Sequence, residues 1–440
     1  MVNGIIIAAP ASGSGKTTLT LGLLRLLARK GVAVGSAKVG PDYIDPAFHA
    51  AASGRPCYNL DSWAMRPATL AALAAKAGRC ADLLVCEGVM GLFDGAFVAQ
   101  GQPDGSTADL AAATGWPVVL VIDGRGMTGS AAAVLAGFAH LRSDLRLRGV
   151  IFNRVMGEKH KAAIAAACAA YCPEVTLLGF LPPSAGLETP SRHLGLVQAA
   201  ERADLQAFLD GAAALVAEHL DVDGLINLAE PSRLAANNGG TGVPPLGRRI
   251  AVARDTAFAF AYPALLEGWR EAGAELSFFS PLADQGPDEG ADSVYLPGGY
   301  PELHAGRLAG NAGFLGGLRG AASRGAVLYG ECGGYMVLGR GMEDAQGGRH
   351  EMAGLLGLET SFARRKLHLG YRHATLAAAG PLGRAGAGFR GHEFHYASIL
   401  AEEGAALFSI TDAPGTRLGM AGLVEGRVMG SFVHLIDSSP

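Results

Sequence analysis

Cysteine is scarce in this 440-residue sequence, which has six, and none of them belongs to a C-x-x-C pair. No paired-histidine spacing accompanies them, so the pattern argues against structural zinc and against a disulfide framework. Cys168 and Cys172 would share one face of a helix. Two such ligands without partners indicate buried apolar residues rather than a metal site.

Charge is also sparse, since 17% of the residues are charged and the formal net charge is −4. A chain without a basic excess gives no electrostatic reason to bind nucleic acid or an anionic membrane. No apolar run approaches the ~18 residues needed to span a bilayer, and the start MVNGIIIAAP lacks the features of a signal peptide. We therefore expect a cytoplasmic globular protein that binds small molecules.

Short apolar runs, each followed by a helical pattern, recur along the first half of the chain. Continuous apolarity indicates strands buried on both faces, as in a parallel sheet between helices. The pattern predicts a doubly wound α/β domain with strands in the runs GIIIAA, DLLVCE, WPVVLVID, RGVIFNRV and TLLGFLP.

A second series of apolar runs follows a stretch that is rich in Asn, Gly and Pro and has no periodicity. These runs predict a second α/β domain, with ligand sites at the carboxyl ends of its strands. They are RIAVARD, AELSFFSPL, SVYLPGGYPE, AVLYGECGG and RVMGSFVHL. We therefore predict domains at 1–226 and 249–440, joined by a linker at 227–248.

A phosphate-binding loop is predicted after the first strand, in APASGSGKTT. The pattern G-x-x-x-x-G-K-[ST] is met except at its first position, where Pro10 replaces glycine. Backbone N–H groups of the loop and the helix N-terminus would still hold phosphates. Lys16 would contact the β- and γ-phosphates of ATP, and the Thr17 hydroxyl would bind Mg²⁺. The loop residues predicted to bind ATP are Gly13, Ser14, Gly15, Lys16, Thr17 and Thr18.

Three further segments place polar side chains around this predicted ATP site. Glu87 ends the run DLLVCE, at the sheet edge where a metal–phosphate complex would lie. Asp42 and Asp45 lie on the constrained loop KVGPDYIDP and suit Mg²⁺ or substrate binding. Asn153 ends another strand and could contact an adenine edge. The structural alternatives are a solvated strand end for Glu87, an Asx-turn for Asp42 and a plain loop residue for Asn153.

One cysteine, Cys332, lies among glycines in YGECGGYMVLG. A strand pattern precedes it and a helix pattern follows it, so the thiol would lie at the apex of a tight strand-to-helix turn. The positive end of the helix would favour the thiolate. This context predicts a nucleophile rather than a structural cysteine.

A thiolate nucleophile needs a base and an oxyanion pocket. Among twelve histidines, His434 is the predicted base, because it follows the strand RVMGSFV and would lie beside the other strand ends. His392 and His395, in GHEFHY, are its rivals. The pocket would use the N–H of Gly333 and one from the LPGGYPE loop, at Gly299.

Together these motifs resemble a known family. LPGGYPE, YGECGGYMVLG and SFVHL are similar to class I glutamine amidotransferases, in which a Cys–His pair hydrolyses glutamine. RDTAFAFAYPALLE and GHEFHYA narrow the resemblance to the cobyrinate-type branch. ASGSGKTT, KVGPDYIDP and EGVMGLFDG resemble dethiobiotin-synthetase-like P-loop ligases. Nearly the whole chain thus resembles the a,c-diamide synthases of cobyrinic and hydrogenobyrinic acid.

The resemblance implies amidation of the a and c acetate carboxylates of a corrinoid through acyl phosphates, with ATP, Mg²⁺ and glutamine, in cobalamin biosynthesis. It places three residues beside the acceptor carboxylate and two near the metal or the intermediate. The first three are Asp42, Tyr43 and Ile44, and the other two are Glu87 and Asp94. The predicted metal ligands are Thr17, Asp45 and Glu87.

The acid that most class I enzymes carry two residues after the histidine is missing, since Ile436 occupies that place. A Cys332–His434 dyad is therefore expected. Asp437 and Glu393 remain open as side chains that could orient the imidazole.

Three alternative functions remain open at this stage. Nickel-sirohydrochlorin a,c-diamide synthase has nearly the same motifs, and cobyric acid synthase shares both halves but tends to lack the acids of KVGPDYIDP. A P-loop ATPase switch would usually carry a second lysine where this chain has Ala11, and it would leave Cys332 unexplained. The metal state of the macrocycle, the order of amidation and the oligomeric state, with a homodimer as one candidate, are also open.

Overall fold

The computed structural model describes residues 2–99, 101–184, 197–235 and 242–439. The chain forms two compact units. The first contains Met1–Trp63, Pro67–Ala96 and Gly101–Gly239, and the second contains Ala64–Arg66, Phe97–Gln100 and Gly240–Pro440. Two short segments of the N-terminal half thus belong to the second unit. Within the described ranges, no helix has the length and apolarity to cross a membrane.

The first unit is built on a parallel sheet. Its strands are β1 (Asn3–Ala8), β2 (Val34–Val39), β3 (Cys57–Leu60), β4 (Leu83–Glu87), β5 (Val118–Asp123), β6 (Leu147–Asn153), β7 (Thr176–Leu181) and β8 (Glu230–Pro231). In the described part of the chain they form one sheet in the order β3-β2-β4-β1-β5-β6-β7, with β8 antiparallel to β1. The short strand β8 lies in the stretch predicted as linker.

Helices flank this sheet. They are α1 (Lys16–Arg29), α2 (Asp45–Ser53), α3 (Pro67–Ala77), α4 (Thr107–Thr114), α5 (Ser130–His140), α6 (Glu158–Tyr171), α7 (Leu205–His219) and α8 (Val222–Asn227). The helical pattern after the first strand predicts one apolar face of α1 with Leu19, Leu23, Leu26 and Leu27. Leu19, Leu23 and Leu27 are buried, whereas Leu26 is half-buried. All five strands predicted for this half are present, and the doubly wound fold is confirmed.

Strands β2 and β3 were not predicted, because polar residues interrupt their apolar pattern. VGSAKV and CYNL are nevertheless fully buried. Two of their polar side chains bond inside the unit: Asn59 Nδ2 donates to the carbonyl oxygen of Gly40 at 2.8 Å, and Lys38 Nζ donates to Glu87 Oε1 at 3.0 Å. Burial of a polar residue in a strand is tolerated when it is hydrogen-bonded.

The second unit combines parallel and antiparallel strands. The strands are β9 (Arg249–Ala253), β10 (Glu275–Phe279), β11 (Ser293–Leu296), β12 (Val327–Glu331), β13 (Gly341–Glu343), β14 (Arg349–Glu351), β15 (Gly357–Ser361), β16 (His368–Leu376), β17 (Gly388–His395), β18 (Ser398–Glu403), β19 (Ala405–Asp412), β20 (Arg417–Glu425), β21 (Val428–Ser431) and β22 (Val433–Ser438). Its helices are α9 (Pro263–Glu271), α10 (Ala305–Gly310), α11 (Ala312–Ser323) and α12 (Gly333–Leu338).

Two sheets are formed by the described strands of this unit. One has the order β10-β9-β11-β12-β21-β20-β19-β16-β17-β22, and the other has the order β14-β13-β15-β18. The neighbours from β10 to β21 are parallel, and all of them except the edge strand β10 are largely buried. Strands β16, β19 and β20 pair antiparallel. Several antiparallel strands are half exposed, such as β18 and β20, and so lack the continuous apolar runs that marked the predicted strands.

The run RVMGSFVHL, predicted as a single strand, is two strands separated at Phe432. β21 is parallel to β12, whereas β22 is antiparallel to β17. His434 therefore lies within β22 and not at the end of a parallel strand, which corrects the reason given for choosing it.

Candidate active sites in the two units

The glycine loop between β1 and α1 is braced by the end of β6. Gly15 has a φ of 90°, and a Cβ there would lie 2.1 Å from Asn153 Nδ2, so glycine is required. Asn153 Nδ2 donates to the Ser14 carbonyl oxygen at 2.9 Å, and Arg154 Nη1 donates to that of Gly13 at 2.9 Å. Asn153 thus supports the loop itself, and its contact with adenine remains a prediction.

Lys16 and Thr17, the first residues of α1, meet the loop that follows β4. Lys16 Nζ donates to the Met90 carbonyl oxygen at 3.1 Å. Burial lowers the pKa of Lys16, and the Glu87 carboxylate opposes this shift only in part. Thr17 Oγ1 donates to Glu87 Oε1 at 2.6 Å, so two of the predicted metal ligands lie together.

Glu87 is 0% exposed, so the alternative of a solvated strand end is wrong. Its neighbours in the sheet are Lys38 on β2 and Ile7 on β1, because β4 lies between these strands. His49 Nε2 is 2.6 Å from Glu87 Oε2. Burial alone would raise the pKa of Glu87, but Lys38 and His49 lower it overall. The carboxylate is therefore ionised and held from two sides.

Lys38 forms ion pairs with three acidic residues of this site. Its Nζ is 2.7 Å from Asp45 Oδ2, 3.0 Å from Glu87 Oε1 and 4.0 Å from Asp42 Oδ2. Burial lowers the pKa of Lys38, but the carboxylates of Asp45, Glu87 and Asp42 raise it overall. This buried cation therefore holds the acids close together. We did not predict Lys38, although it begins the motif KVGPDYIDP.

Asp42 forms the Asx-turn that was its structural alternative. Its Oδ1 accepts from the backbone N–H of Ile44 at 2.7 Å and of Asp45 at 3.2 Å, where α2 begins. Burial and the Asp45 carboxylate raise the pKa of Asp42 to about 7, and Lys38 opposes them. Ile44 is buried, whereas Tyr43 is half-buried. The roles of these residues toward an acceptor remain predictions.

Asp94 closes a turn next to the glycine loop. Its Oδ2 accepts from the Gly91 N–H at 2.8 Å, and the Leu92 N–H donates to the Ala9 carbonyl oxygen at 2.8 Å. A Cβ on Gly91 would lie 2.5 Å from the Pro10 carbonyl oxygen. This close approach places Asp94 beside the start of the phosphate loop.

In the second unit, Cys332 lies in the predicted strand-to-helix turn between β12 and α12. Its φ of 49° and ψ of −103° are strained for a residue with a side chain. Gly330 and Gly334 permit the turn. A Cβ on Gly330 would lie 2.6 Å from the Gly334 carbonyl carbon, and a Cβ on Gly334 would lie 2.0 Å from the Leu296 carbonyl oxygen. The glycines around Cys332 are therefore explained by close backbone packing.

The two glycines predicted for the oxyanion pocket are neighbours. A Cβ on Gly333 would lie 3.2 Å from the Gly299 nitrogen. His434 contacts the same loop, because a Cβ on Gly298 would lie 2.4 Å from its Cε1 atom. The structure thus brings Gly299, Gly333 and His434 to one place beside Cys332.

Cys332 is 4% exposed, and its surroundings are less favourable to the thiolate than expected. Burial, followed by the Glu302 carboxylate, raises the pKa of Cys332, and the Gly333 N–H opposes this only in part. Burial and the Glu302 carboxylate oppose the thiolate that the helix end was expected to favour.

The three candidate histidines have different partners. His434 is 1% exposed and stacks on His392 with ring centroids 4.9 Å apart. Burial, followed by the charge of His434, lowers the pKa of His392. His395 Nε2 is 3.0 Å from Glu393 Oε1, and Arg372 Nε donates to Glu393 Oε2 at 2.7 Å.

Several known proteins match this chain over nearly its whole length. Residues 5–197 match the family model of the CobQ/CobB/MinD/ParA nucleotide binding domain, and residues 249–440 match that of the CobB/CobQ-like glutamine amidotransferase domain. A hydrogenobyrinate a,c-diamide synthase from Brucella suis is 54% identical over 441 residues, which are 100% of this chain and 99% of that protein. This chain belongs to the hydrogenobyrinate a,c-diamide synthase family.

Other members of the family agree. Proteins of the same name from Rhizobium meliloti and Rhodobacter capsulatus are 52% and 53% identical, and each match covers at least 98% of both chains. The predicted combination of a nucleotide-binding ligase with a glutamine amidotransferase is confirmed.

Four residues in this family member were not singled out from the sequence. Lys38 and His49 contact Glu87, Arg154 supports the glycine loop, and Glu331 lies beside His434. Glu331 adjoins the nucleophile in sequence, and Lys38 and His49 flank the acids of KVGPDYIDP. Their proximity to the motifs is the signal that could have found them.

Proposed function

We propose that this chain amidates the a and c acetate carboxylates of hydrogenobyrinate, using ATP and glutamine. The name of its relatives, hydrogenobyrinate a,c-diamide synthase, and its two matched domains support this proposal. One observation carries this proposal: the same chain holds a phosphate loop beside Glu87 and a strand-to-helix cysteine beside His434. The first arrangement suits activation of a carboxylate, and the second suits release of ammonia from glutamine. We also propose a cytoplasmic location, because both ATP and glutamine would be supplied there.

In the proposed glutaminase reaction, His434 takes the proton of the Cys332 thiol as the sulfur attacks the carboxamide carbon of glutamine. The N–H groups of Gly299 and Gly333 would stabilise the oxyanion. The imidazolium then gives its proton to the leaving nitrogen, and ammonia departs as the C–N bond breaks. Water hydrolyses the thioester to glutamate and restores the thiol. Because burial raises the pKa of Cys332, the thiol depends on His434 to take its proton.

In the proposed ligase reaction, an oxygen of the acceptor carboxylate attacks the γ-phosphorus of ATP, and ADP leaves. The Lys16 ammonium and the loop N–H groups would offset the charge on the phosphates. Ammonia then attacks the acyl carbon, and the bond between this carbon and the bridging phosphate oxygen breaks. Inorganic phosphate leaves, and the nitrogen loses one proton to give the amide. We propose that Asp42, Tyr43, Ile44 and Asp94 lie around the acceptor and that Thr18 and Asn153 complete the nucleotide site.

The residues at the end of β4 fit a magnesium ion. Thr17 Oγ1 and Glu87 Oε1 are 2.6 Å apart, and hydroxyl and carboxylate oxygens are donors that Mg²⁺ accepts. Asp45 is held near them by Lys38. We propose that Thr17, Asp45 and Glu87 would hold Mg²⁺, which supplies positive charge to the phosphates when bound.

A product assay tests the proposed function. The purified chain is incubated with ATP, Mg²⁺, glutamine and, separately, hydrogenobyrinate, cobyrinate or nickel-sirohydrochlorin, and the products are analysed by mass spectrometry. We expect two added amides on hydrogenobyrinate. Two amides on another macrocycle only would reassign the substrate, and glutamate release without amidation of any macrocycle would contradict the ligase assignment.

A further inference from the structure

Glu331 is a buried carboxylate directly before the nucleophile, at the end of β12. It is 1% exposed. Its Oε2 accepts from the Tyr295 hydroxyl at 2.7 Å, and its Oε1 accepts from the Tyr329 hydroxyl at 3.1 Å and from the Leu435 N–H at 3.1 Å. Three donors on two different oxygens fix the plane of this carboxylate.

The remaining side of the carboxylate faces His434. An ionised carboxylate has about four acceptor positions, and the three donors leave one on Oε2. His434 Nδ1 lies 3.7 Å from this oxygen. The distance is longer than a hydrogen bond, but catalytic hydrogen bonds are often long before substrate is bound and shorten in the complex. Since Leu435 follows His434, its N–H bond to Glu331 also ties the backbone of the histidine to the carboxylate.

Asp437 and Glu393, the two acids that the sequence analysis considered for orienting the imidazole, have other partners. Asp437 accepts from Nη2 of Arg66 at 2.8 Å and from the Gly242 N–H at 2.7 Å. Glu393 binds Arg372 and His395, as described above, and these two partners lower the pKa of Glu393 to about 2 even though burial raises it. Both acids are already paired with cations or N–H groups.

Three aromatic groups near the His434 ring provide no negative charge. His392 stacks on it, and burial lowers the pKa of His392, so this ring is neutral. The His392 Nδ1 atom lies 3.4 Å from the Tyr262 hydroxyl. Tyr295 and Tyr329 point at Glu331, and burial raises the pKa of both phenols, which keeps them protonated donors.

We propose that Glu331 is the positioning residue of the glutaminase and completes a Cys332–His434–Glu331 triad. Its carboxylate keeps a hydrogen on Nδ1 of His434, so that Nε2 is the nitrogen that takes the thiol proton. It also stabilises the positive charge that the ring carries between taking this proton and giving it to ammonia. The acid thus comes from the strand of the nucleophile and replaces the one missing at Ile436. This inference rests on the proposed glutaminase reaction.

The full-length Glu331→Gln variant tests the inference because glutamine has nearly the shape of glutamate. The amide oxygen can still accept from Tyr329 and Leu435, but the amide NH₂ would face His434 Nδ1 and donate to it. The ring hydrogen would then move to Nε2, which is the wrong tautomer for a base. Asp437→Asn is the matched control, since it changes a buried carboxylate of the same unit to its amide.

We expect Glu331→Gln to lower kcat with glutamine by roughly 10²–10⁴-fold, as removal of a triad acid does in other enzymes. KM for glutamine and the rate with ammonium should stay within about threefold of wild type, because binding and ligation do not use the proton transfer. Asp437→Asn should retain kcat with glutamine. In ¹⁵N spectra of histidine-labelled enzyme, assigned with His434→Gln, wild type should carry the hydrogen on Nδ1 and Glu331→Gln on Nε2.

Three results would overturn the inference. One is a Glu331→Gln enzyme with normal kcat, and another is an equal loss with glutamine and with ammonium, which would indicate a structural role. The third result needs no variant. It is a ¹⁵N spectrum in which the neutral His434 ring of wild type carries its hydrogen on Nε2. If wild type itself fails to hydrolyse glutamine, the proposed function is at fault instead.

Discussion

Replacing Lys38 by methionine should destabilise the first unit strongly. The ammonium of Lys38 lies 2.7 Å from Asp45 and 3.0 Å from Glu87, and its side chain is 4% exposed. Methionine keeps the length and the apolar stem of lysine but removes the charge. The carboxylates of Glu87, Asp45 and Asp42 would then lie close together without the cation that they share in wild type.

The expected size of the effect follows from the burial of the pair. Removing one partner of a buried ion pair costs about 3–5 kcal/mol, because the other charge stays buried and uncompensated. His49 still contacts Glu87 at 2.6 Å, which favours the lower half of this range. For a unit of this size, each kcal/mol changes the melting temperature by about 2–4 °C, so a decrease of roughly 6–16 °C is expected.

Thermal unfolding followed by circular dichroism measures this decrease, in EDTA and in Mg²⁺. Lys159→Met is the control, since Lys159 is exposed on α6, and it should change stability by at most about 0.5 kcal/mol. Mg²⁺ should raise the melting temperature of Lys38→Met more than that of wild type, because the proposed ligands Asp45 and Glu87 then lack their cation.

A Lys38→Met protein that melts within the error of wild type would refute this account of the acidic cluster. The same conclusion would follow if Lys159→Met were equally destabilised. If Lys38→Met is destabilised but Mg²⁺ has no larger effect on it, the ion pairs stand and the proposed magnesium ligands do not.

Three further outcomes are expected. Cys332→Ala should lose glutamine-dependent amidation and keep the ammonium-dependent rate, whereas Lys16→Ala should lose both. A Lys16→Ala enzyme that amidates normally would contradict the phosphate-loop assignment. Because burial raises the pKa of Cys332, iodoacetamide at pH 7.5 should label Cys332 more slowly than the exposed Cys80. The labelling of Cys332 should increase as the pH rises. Peptide mass spectrometry that shows Cys332 labelled first would contradict this expectation. Gly334→Ala should cost about 1–3 kcal/mol by overpacking, since its Cβ would lie 2.0 Å from the Leu296 carbonyl oxygen; unchanged melting and glutaminase activity would show that the turn can relax.

The sequence alone was enough for features that depend on neighbouring residues. The phosphate loop needs glycines, a lysine and a threonine in one short segment, and the turn at Cys332 needs glycines on both sides of the thiol. Those buried parallel strands that are continuous apolar runs, such as β1, β4 and β5, were visible too. Because the motifs of both units are local, the family could be predicted and is confirmed.

Strands whose apolar pattern is interrupted were not visible in the sequence. β2 carries Lys38, whose charge interrupts the apolar run, and it could be recognised as buried only when its partners on other elements were known. The split of RVMGSFVHL at Phe432 depends on which strand each half pairs with, namely β12 for one and β17 for the other. No local pattern records such pairings.

The electrostatic partners were decided by the tertiary structure. Lys38 and Glu87 are 49 residues apart, and the bond between Leu435 and Glu331 joins residues 104 apart. The pKa of Cys332 likewise depends on burial and on Glu302, which the turn motif does not contain. A motif specifies which chemical groups are present, whereas burial and long-range contacts decide which of them are charged and which neighbour each one faces.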